Sequence, residues 1–213
     1  MTIAWPQLLG AGVRVDERFS TKEAAVLAGL SEKAIRHEMA REIARPESVR
    51  TGKAVRRAMD ARDIFYLSLV GSLPIALAPR DRRDLYDLIR RRLAKSGRWR
   101  ATARRLRLRG EVAVDIDPSR VRRDVKRRVR IFARGRRRIA VDANVAGGEV
   151  VFAGTRIPIR HIGLLAKKAA VKEILEDYPA LDREDVEFAR FFVELRPDPG
   201  RPRKALAFRR AAG

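Results

Sequence analysis

The sequence predicts a mainly α-helical chain with small β elements, an α+β fold assembled from an N-terminal helix-turn-helix, a basic α+β middle and a C-terminal trihelical unit. Three observations carry this. Capped stretches of helical periodicity recur towards both ends of the 213 residues. Short runs alternating apolar and charged residues lie between them. The charge is also partitioned: residues 1–79 carry 12 basic and 9 acidic residues, 80–138 carry 24 and 7, 139–195 carry 7 and 10, and 196–213 carry 6 and 1. The expected regions follow these boundaries: a helix-turn-helix region at 1–79, a strongly basic middle at 80–138, a trihelical domain at 139–195 and a basic tail at 196–213 that is disordered when free.

The elements are read in order. Ser20-Thr21-Lys22-Glu23 is a capping box, and Ala24, Ala25, Leu27 and Ala28 follow as the apolar face of a short helix. Gly29 ends it, Leu30 plugs the turn, and Ser31 offers a second N-cap. The next helix runs through Ile35, Met39 and Ile43 and stops before Pro46. With that face inward, Lys33, Arg36, His37 and Arg41 point out, as in a helix that enters the major groove. Thr21, Lys22 and Ser31 complete this set of candidate DNA contacts. An ordinary αα-hairpin has the same pattern, and the small alanines and the plug residue favour the DNA-binding version. Arg50 to Ala61 reads as a basic arm or wing, Asp63 to Val70 as a buried helix, and Pro79 and Asp81 as the start of another. Leu106 and Leu108, then Val112, Val114 and Ile116, alternate around Arg109-Gly110 as a hairpin. Asp117-Pro118 opens a helix with Val121, Val125 and Val129 on one face, and Ile139 to Val141 is a short strand.

The net charge of +22 implies a polyanionic partner, and the central segment supplies +17 of it. Nucleic acid, an anionic membrane and an acidic protein all qualify, as does a merely solvated Arg-rich face. No segment combines basic residues with Trp or Phe anchors in a way that favours a membrane. Arg136, Arg137 and Arg138 are the candidate phosphate contacts. The longest uncharged run, Ile64 to Pro79, is broken by Gly71 and Pro74 and too short to span a bilayer. The first residues lack the basic region of a secretory signal, and the absence of cysteine fits a reducing cytoplasm, so a cytoplasmic protein is expected. Without cysteine there is no disulfide framework, thiolate zinc site or Cys nucleophile.

Enzyme motifs are missing, so neither catalysis nor a cofactor or metal is expected. Gly10-Ala11-Gly12 lacks a third glycine, and Thr51-Gly52-Lys53 lacks the upstream glycine of a phosphate loop. His37-Glu38-Met39-Ala40-Arg41 places a cation where a zinc-protease motif needs its second histidine. His161 is a lone histidine near a helix start, and Asp115, Asp117, Asp182, Glu184 and Asp185 read as caps and first-turn acids.

Gly147 to Ile159 is the most distinctive segment: two glycines, a short apolar strand and a tight Gly154-Thr155-Arg156 turn leading into a helix with Ile162, Leu164 and Leu165. A second helix carries Val171, Ile174 and Leu175, Tyr178-Pro179-Ala180-Leu181 breaks it, and Asp182 caps a third. With its GTRIPI and EILEDYPALDREDVEFA stretches, residues 139–195 resemble the small antitoxin domains of domain of unknown function family 433, here in a trihelical, homeodomain-like form. Val150-Val151-Phe152 departs from that family, which has a proline and smaller residues there. Arg18 to Ala25 is similar to the start of a MerR-like helix-turn-helix, and longer VapB-type antitoxins join such a reader to this domain. The resemblance implies a type II toxin–antitoxin system whose antitoxin neutralises a PIN-like ribonuclease toxin and represses its own operator DNA. Charge alone leaves DNA and RNA equally open, and the alternative is a basic RNA- or ribosome-binding protein without a toxin partner.

The last helix is apolar almost all round, with Phe188, Phe191, Phe192 and Leu195 broadening the Val186, Ala189, Val193 face. A small trihelical unit cannot cover every side of it. The expected cover is a second subunit, making a homodimer, or the toxin, making a hetero-oligomer; the basic middle of the same chain is the competing cover. In the tail, Leu206 and Phe208 are expected to anchor on the toxin while Arg203, Arg209 or Arg210 enters its acidic site. A basic tail that only adds to DNA affinity is the other reading.

Overall fold

The computed structural model describes residues 17–51, 54–90, 97–102, 105–110, 113–141 and 148–196. The mainly helical architecture with small sheets is as expected. Helices α1 (Thr21–Ala28) and α2 (Glu32–Ala40) form the first helical pair, joined by the Gly29-Leu30-Ser31 turn. The capping box closes: Glu23 N–H donates to Ser20 Oγ at 3.3 Å and Ser20 N–H donates back to Glu23 at 2.8 Å. Gly29 ends α1 at φ 71°, in the left-handed region that a side chain disfavours. Ser31 caps α2 by accepting from Ala34 N–H at 3.1 Å. The second helix is shorter than its periodicity implies. It stops at Ala40, and the amides of Ile43 and Ala44 both turn back to the Glu38 carbonyl, so Ile43 reaches the core from a turn.

The basic arm is an antiparallel hairpin, β1 (Glu47–Thr51) and β2 (Ala54–Ala58). Phe19 and Met59 pair reciprocally through their backbones and tie its base to the start of α1. Val49 and Val55 remain exposed, so the hairpin stands off the core like a wing. The buried helix α3 (Ala61–Ser72) and then α4 (Pro79–Ile89) follow. A three-stranded antiparallel sheet comes next, in the order β3 (Trp99–Ala101), β4 (Leu106–Leu108), β5 (Val114–Ile116). The alternation around Arg109-Gly110 anticipated its last two strands and missed β3.

Helix α5 (Ser119–Arg137) is the spine of the molecule. Asp117 accepts from Ser119 N–H at 2.8 Å, and the helix begins one residue later than its Asp-Pro signal implied. Strands β6 (Ile139–Val141) and β7 (Val150–Phe152) then pair, and α6 (Ile159–Leu165), α7 (Val171–Asp177) and α8 (Arg183–Leu195) close the fold. On α5, Val125, Val129 and Phe132 are buried against neighbours on both sides. The Phe132 ring lies 6.1 Å from Phe19, 5.8 Å from Phe188 and 6.2 Å from Phe191. Gly135 permits this packing, because a Cβ there would stand 2.0 Å from the Phe188 ring. Gly163 does the same for α6 on α8, where a Cβ would stand 2.3 Å from the Ala189 carbonyl oxygen.

This packing corrects one expectation. Phe188, Phe191 and Phe192 are only 2, 9 and 6 % exposed, so the surface assigned to a second subunit or toxin is internal. The reason is geometric: α5 presents an apolar stripe of the right length, and intrachain burial costs no association entropy. Leu195, at the end of α8, is half-buried and borders an opening of about 300 Å³ with Lys22, Phe192 and Arg196.

Candidate nucleic-acid interface

Helix α2 buries Ile35 and Glu38 and turns Lys33, Arg36, His37 and Arg41 to solvent. The structure therefore brings four of the expected contacts onto one exposed surface. Arg36 bonds to Glu32 one turn earlier at 3.0 Å, an exposed pair that a competing ligand breaks at little cost. Lys22 is exposed at the start of α1, Thr21 is half-buried, and the Ser31 oxygen is committed to its cap. The wing adds Arg50, Arg56 and Arg57, all exposed, with Arg57 donating to Ser48 Oγ at 2.7 Å. Sequence reasoning placed a wing here without naming contacts on it. The signal was present in arginines alternating with exposed valines around a Gly-Lys pair.

A buried polar network fixes the posture of α2 and the wing. Glu38, on the inner side of α2, accepts from Tyr66 Oη at 2.9 Å and pairs with Arg82 of α4. Arg90 reaches Asp60 at 2.8 Å, Asp63 at 3.3 Å and Glu47 of the wing at 3.5 Å. Tyr86 donates to Asp63 at 2.8 Å and packs edge-on against Tyr66. Burial, reinforced by Asp60 beside it, pushes the Asp63 carboxyl above its usual range even though Arg90 pulls it down. Burial and the neighbouring carboxylates likewise push the Tyr66 and Tyr86 hydroxyls up, so both stay protonated donors. None of these acids was singled out from the sequence as an anchor; Glu38 was noted only inside a failed metal motif.

Two of the three candidate phosphate contacts on the spine are engaged inside the protein. Arg136 bonds to Glu23 at 2.5 Å and to the Arg18 carbonyl at 3.0 Å, and lies over the Phe19 and Phe132 rings. Arg138 pairs with the buried Asp185 and lies over Phe152. Both are corrected from DNA contacts to structural cations; Arg137 alone is exposed. The physical reason is helix packing: α1 brings Glu23 to Arg136, and α8, which faces α5 through a ladder of opposite charges, brings Asp185 to Arg138. Arg127 meets Glu187 at 2.7 Å, Arg130 meets Glu184 at 2.6 Å, and Arg134 forks onto Asp182 while reaching Glu184 at 3.1 Å. The Arg134 fork, with the Asp185 amide, holds the Asp182 carboxyl down at about 2.

His161 shares a 2.9 Å hydrogen bond with the Tyr178 hydroxyl. The two border an open groove of about 530 Å³ with Glu149, Arg156, Arg160 and Leu164. Above it, Gly154 turns at φ 77° and the Thr155 hydroxyl donates to the Phe152 carbonyl at 2.8 Å, which sets the β7–α6 corner. Among the described residues no three His, Asp or Glu side chains converge as metal ligands, and no helix is long and apolar enough to cross a membrane. Arg203, Leu206, Phe208, Arg209 and Arg210 lie outside the described residues.

Residues 139–193 match the family model described as "Protein of unknown function (DUF433)". The segment from β6 through α8 is thus similar to this family. No curated protein and no solved structure matches the chain.

Proposed function

We propose that this protein is the antitoxin of a type II toxin–antitoxin system: it neutralises a PIN-like ribonuclease and binds its own operator as a repressor, without catalysing a reaction. The observation that carries the reading is the pairing of two parts in one chain. One is a helix-turn-helix whose α2 turns Lys33, Arg36, His37 and Arg41 outward beside a cationic wing. The other is the domain at 139–193. The DNA-reading half follows from groove geometry, since an exposed helix with several basic side chains on one side suits the major groove. The toxin-binding half follows from the family resemblance. With the phenylalanines used internally, we assign the partner to the open groove beside His161 and Leu164, one of the exposed surfaces of that domain.

The test has two arms. In the first, the protein is titrated onto duplex DNA from its own promoter and onto a scrambled duplex. Arg36→Ala is expected to reduce promoter binding by ~1–3 kcal/mol and leave scrambled binding nearly unchanged. Equal losses on both would reject base reading by this residue. In the second arm, the protein is co-expressed with the adjacent reading frame. Growth rescue and co-purification support the antitoxin reading, whereas preferential recovery with RNA would favour the RNA-binding alternative.

A further inference from the structure

The positive charge of the basic middle is only partly neutralised. On α5, Arg127, Arg130 and Arg134 meet acids of α8 and Arg136 meets Glu23, and Arg138 just beyond the helix meets Asp185, while Arg123 and Arg137 stay exposed. The β3–β4–β5 sheet is different. Its inner face is apolar and pinned: Trp99, Leu106, Leu108 and Ile116 are buried, and Trp99 Nε1 donates to the Asp81 carbonyl at 2.8 Å. Its outer face therefore has one orientation and presents Arg100, Arg107 and Asp115 in a row across the three strands. Arg100 and Arg107 stand directly opposite each other, a like-charge pairing that disfavours the sheet. Among the described residues one acid serves the row. Asp115 takes a fork from Arg107 at 2.7 and 3.0 Å and lies 4.0 Å from Arg105, while Arg100 has no ion pair among the described residues. Arg109 is exposed at the rim.

We propose that this outer sheet face, centred on Arg100 and Arg107, is a second DNA-binding surface that takes the phosphate backbone of a duplex. The proposal rests on the reading of the chain as an operator-binding protein and adds a surface outside the helix-turn-helix. An anion between Arg100 and Arg107 relieves their opposition, and the Asp115 fork holds the Arg107 guanidinium in one plane, ready for a bidentate contact with phosphate. The face lacks the means to bind single strands, because stacking platforms need exposed aromatic rings and its one aromatic, Trp99, points into the core. Nor does a flat row of arginines on three-residue strands reach base edges in a groove, so the surface adds affinity without sequence.

The test compares the full-length protein with Arg100→Gln/Arg107→Gln and with Asp115→Asn, on promoter and scrambled duplexes and on a single-stranded RNA, over a salt series. Every phosphate that the protein no longer neutralises flattens the log–log salt slope by roughly 0.9. The double variant is therefore expected to flatten it by about 2 on both duplexes, so that its affinity falls about tenfold less than the parent's between about 50 and 200 mM salt. The promoter-to-scrambled ratio stays the same, and the melting temperature is unchanged or raised. Asp115→Asn, which frees a cation, is expected to tighten binding to both duplexes. An unchanged slope in the double variant, with Asp115→Asn neutral, overturns the proposal. So does a loss confined to single-stranded RNA. Promoter preference measured in the same titrations separates this outcome from the larger reading. If the parent protein has no preference but the slope still flattens, operator reading fails and the phosphate surface stands.

Discussion

Arg136 and Arg137 are neighbours with the same charge and opposite duties. The Arg136 guanidinium is held by Glu23 and by two aromatic rings, whereas Arg137 is in solvent. Arg136→Ala is expected to cost about 2 kcal/mol, from one charge-assisted hydrogen bond and its ring contacts. Arg137→Ala should change stability by under about 0.5 kcal/mol. Urea melts of the two variants decide it, and equal effects would remove the distinction. Gly135 makes the same point through volume. Its missing Cβ is the space that the Phe188 ring occupies, so Gly135→Ala must push α5 and α8 apart, with an expected loss of about 1–3 kcal/mol. Neither role is visible in sequence. Arg136 sits in a run of three arginines with identical local chemistry, and what tells them apart is which face of α5 meets α1.

Among elements, α2 is held from beneath by Glu38 and displays its cations above. Glu38→Leu strips Arg82 of its carboxylate and Tyr66 of its acceptor, and breaking a buried pair from one side costs about 3–5 kcal/mol. The expected readout is faster amide exchange in α2, with weakened promoter binding although no DNA-facing residue has changed. The α5–α8 ladder has its own signature in pH. Asp182 has a folded value of about 2 against an ordinary 3.8. A depressed carboxylate stabilises the fold above the ordinary value, and that contribution is lost as pH falls from about 4 to 2. Thermal melts of the parent should therefore fall more steeply across that window than those of Asp182→Asn. Parallel curves would show that the Arg134–Asp182 pair contributes nothing. Element types and starts were legible because caps and glycines act locally: Ser20, Ser31 and Asp182 each cap the helix that their sequence context announced. The end of α2 and the whole of β3 were not, since both depend on interactions made elsewhere, at Glu38 and beneath Trp99.

For the whole molecule, Phe132 joins parts that the charge profile had separated. It touches Phe19 before α1 and both Phe188 and Phe191 on α8. One continuous core should unfold in one transition. Phe132→Ala is expected to cost about 3–5 kcal/mol and to accelerate exchange in α1 and α8 together. Exchange that quickens in α8 alone would mean that the domain at 139–193 folds independently of the helix-turn-helix.

Local chemistry was enough to define the mainly helical class, the first helical pair with its Gly29 turn and the exposed cations of α2, because capping, turn residues and apolar periodicity all act over a few helical turns or less. The likeness of 139–193 to a known domain was equally legible, through residues that build the Gly154 corner and the Asp182 cap. Only the folded chain decided what covers the α8 phenylalanines and which arginines remain free. A phenylalanine face binds whichever apolar stripe fits it at least entropic cost, and here that stripe lies on the same chain. An arginine is readily available to a polyanion when it is exposed and no half-buried or buried carboxylate of the packed chain holds it. For Arg136 and Arg138 one does, through helix packing between residues 47 or more positions apart; for Arg100, among the described residues, none does.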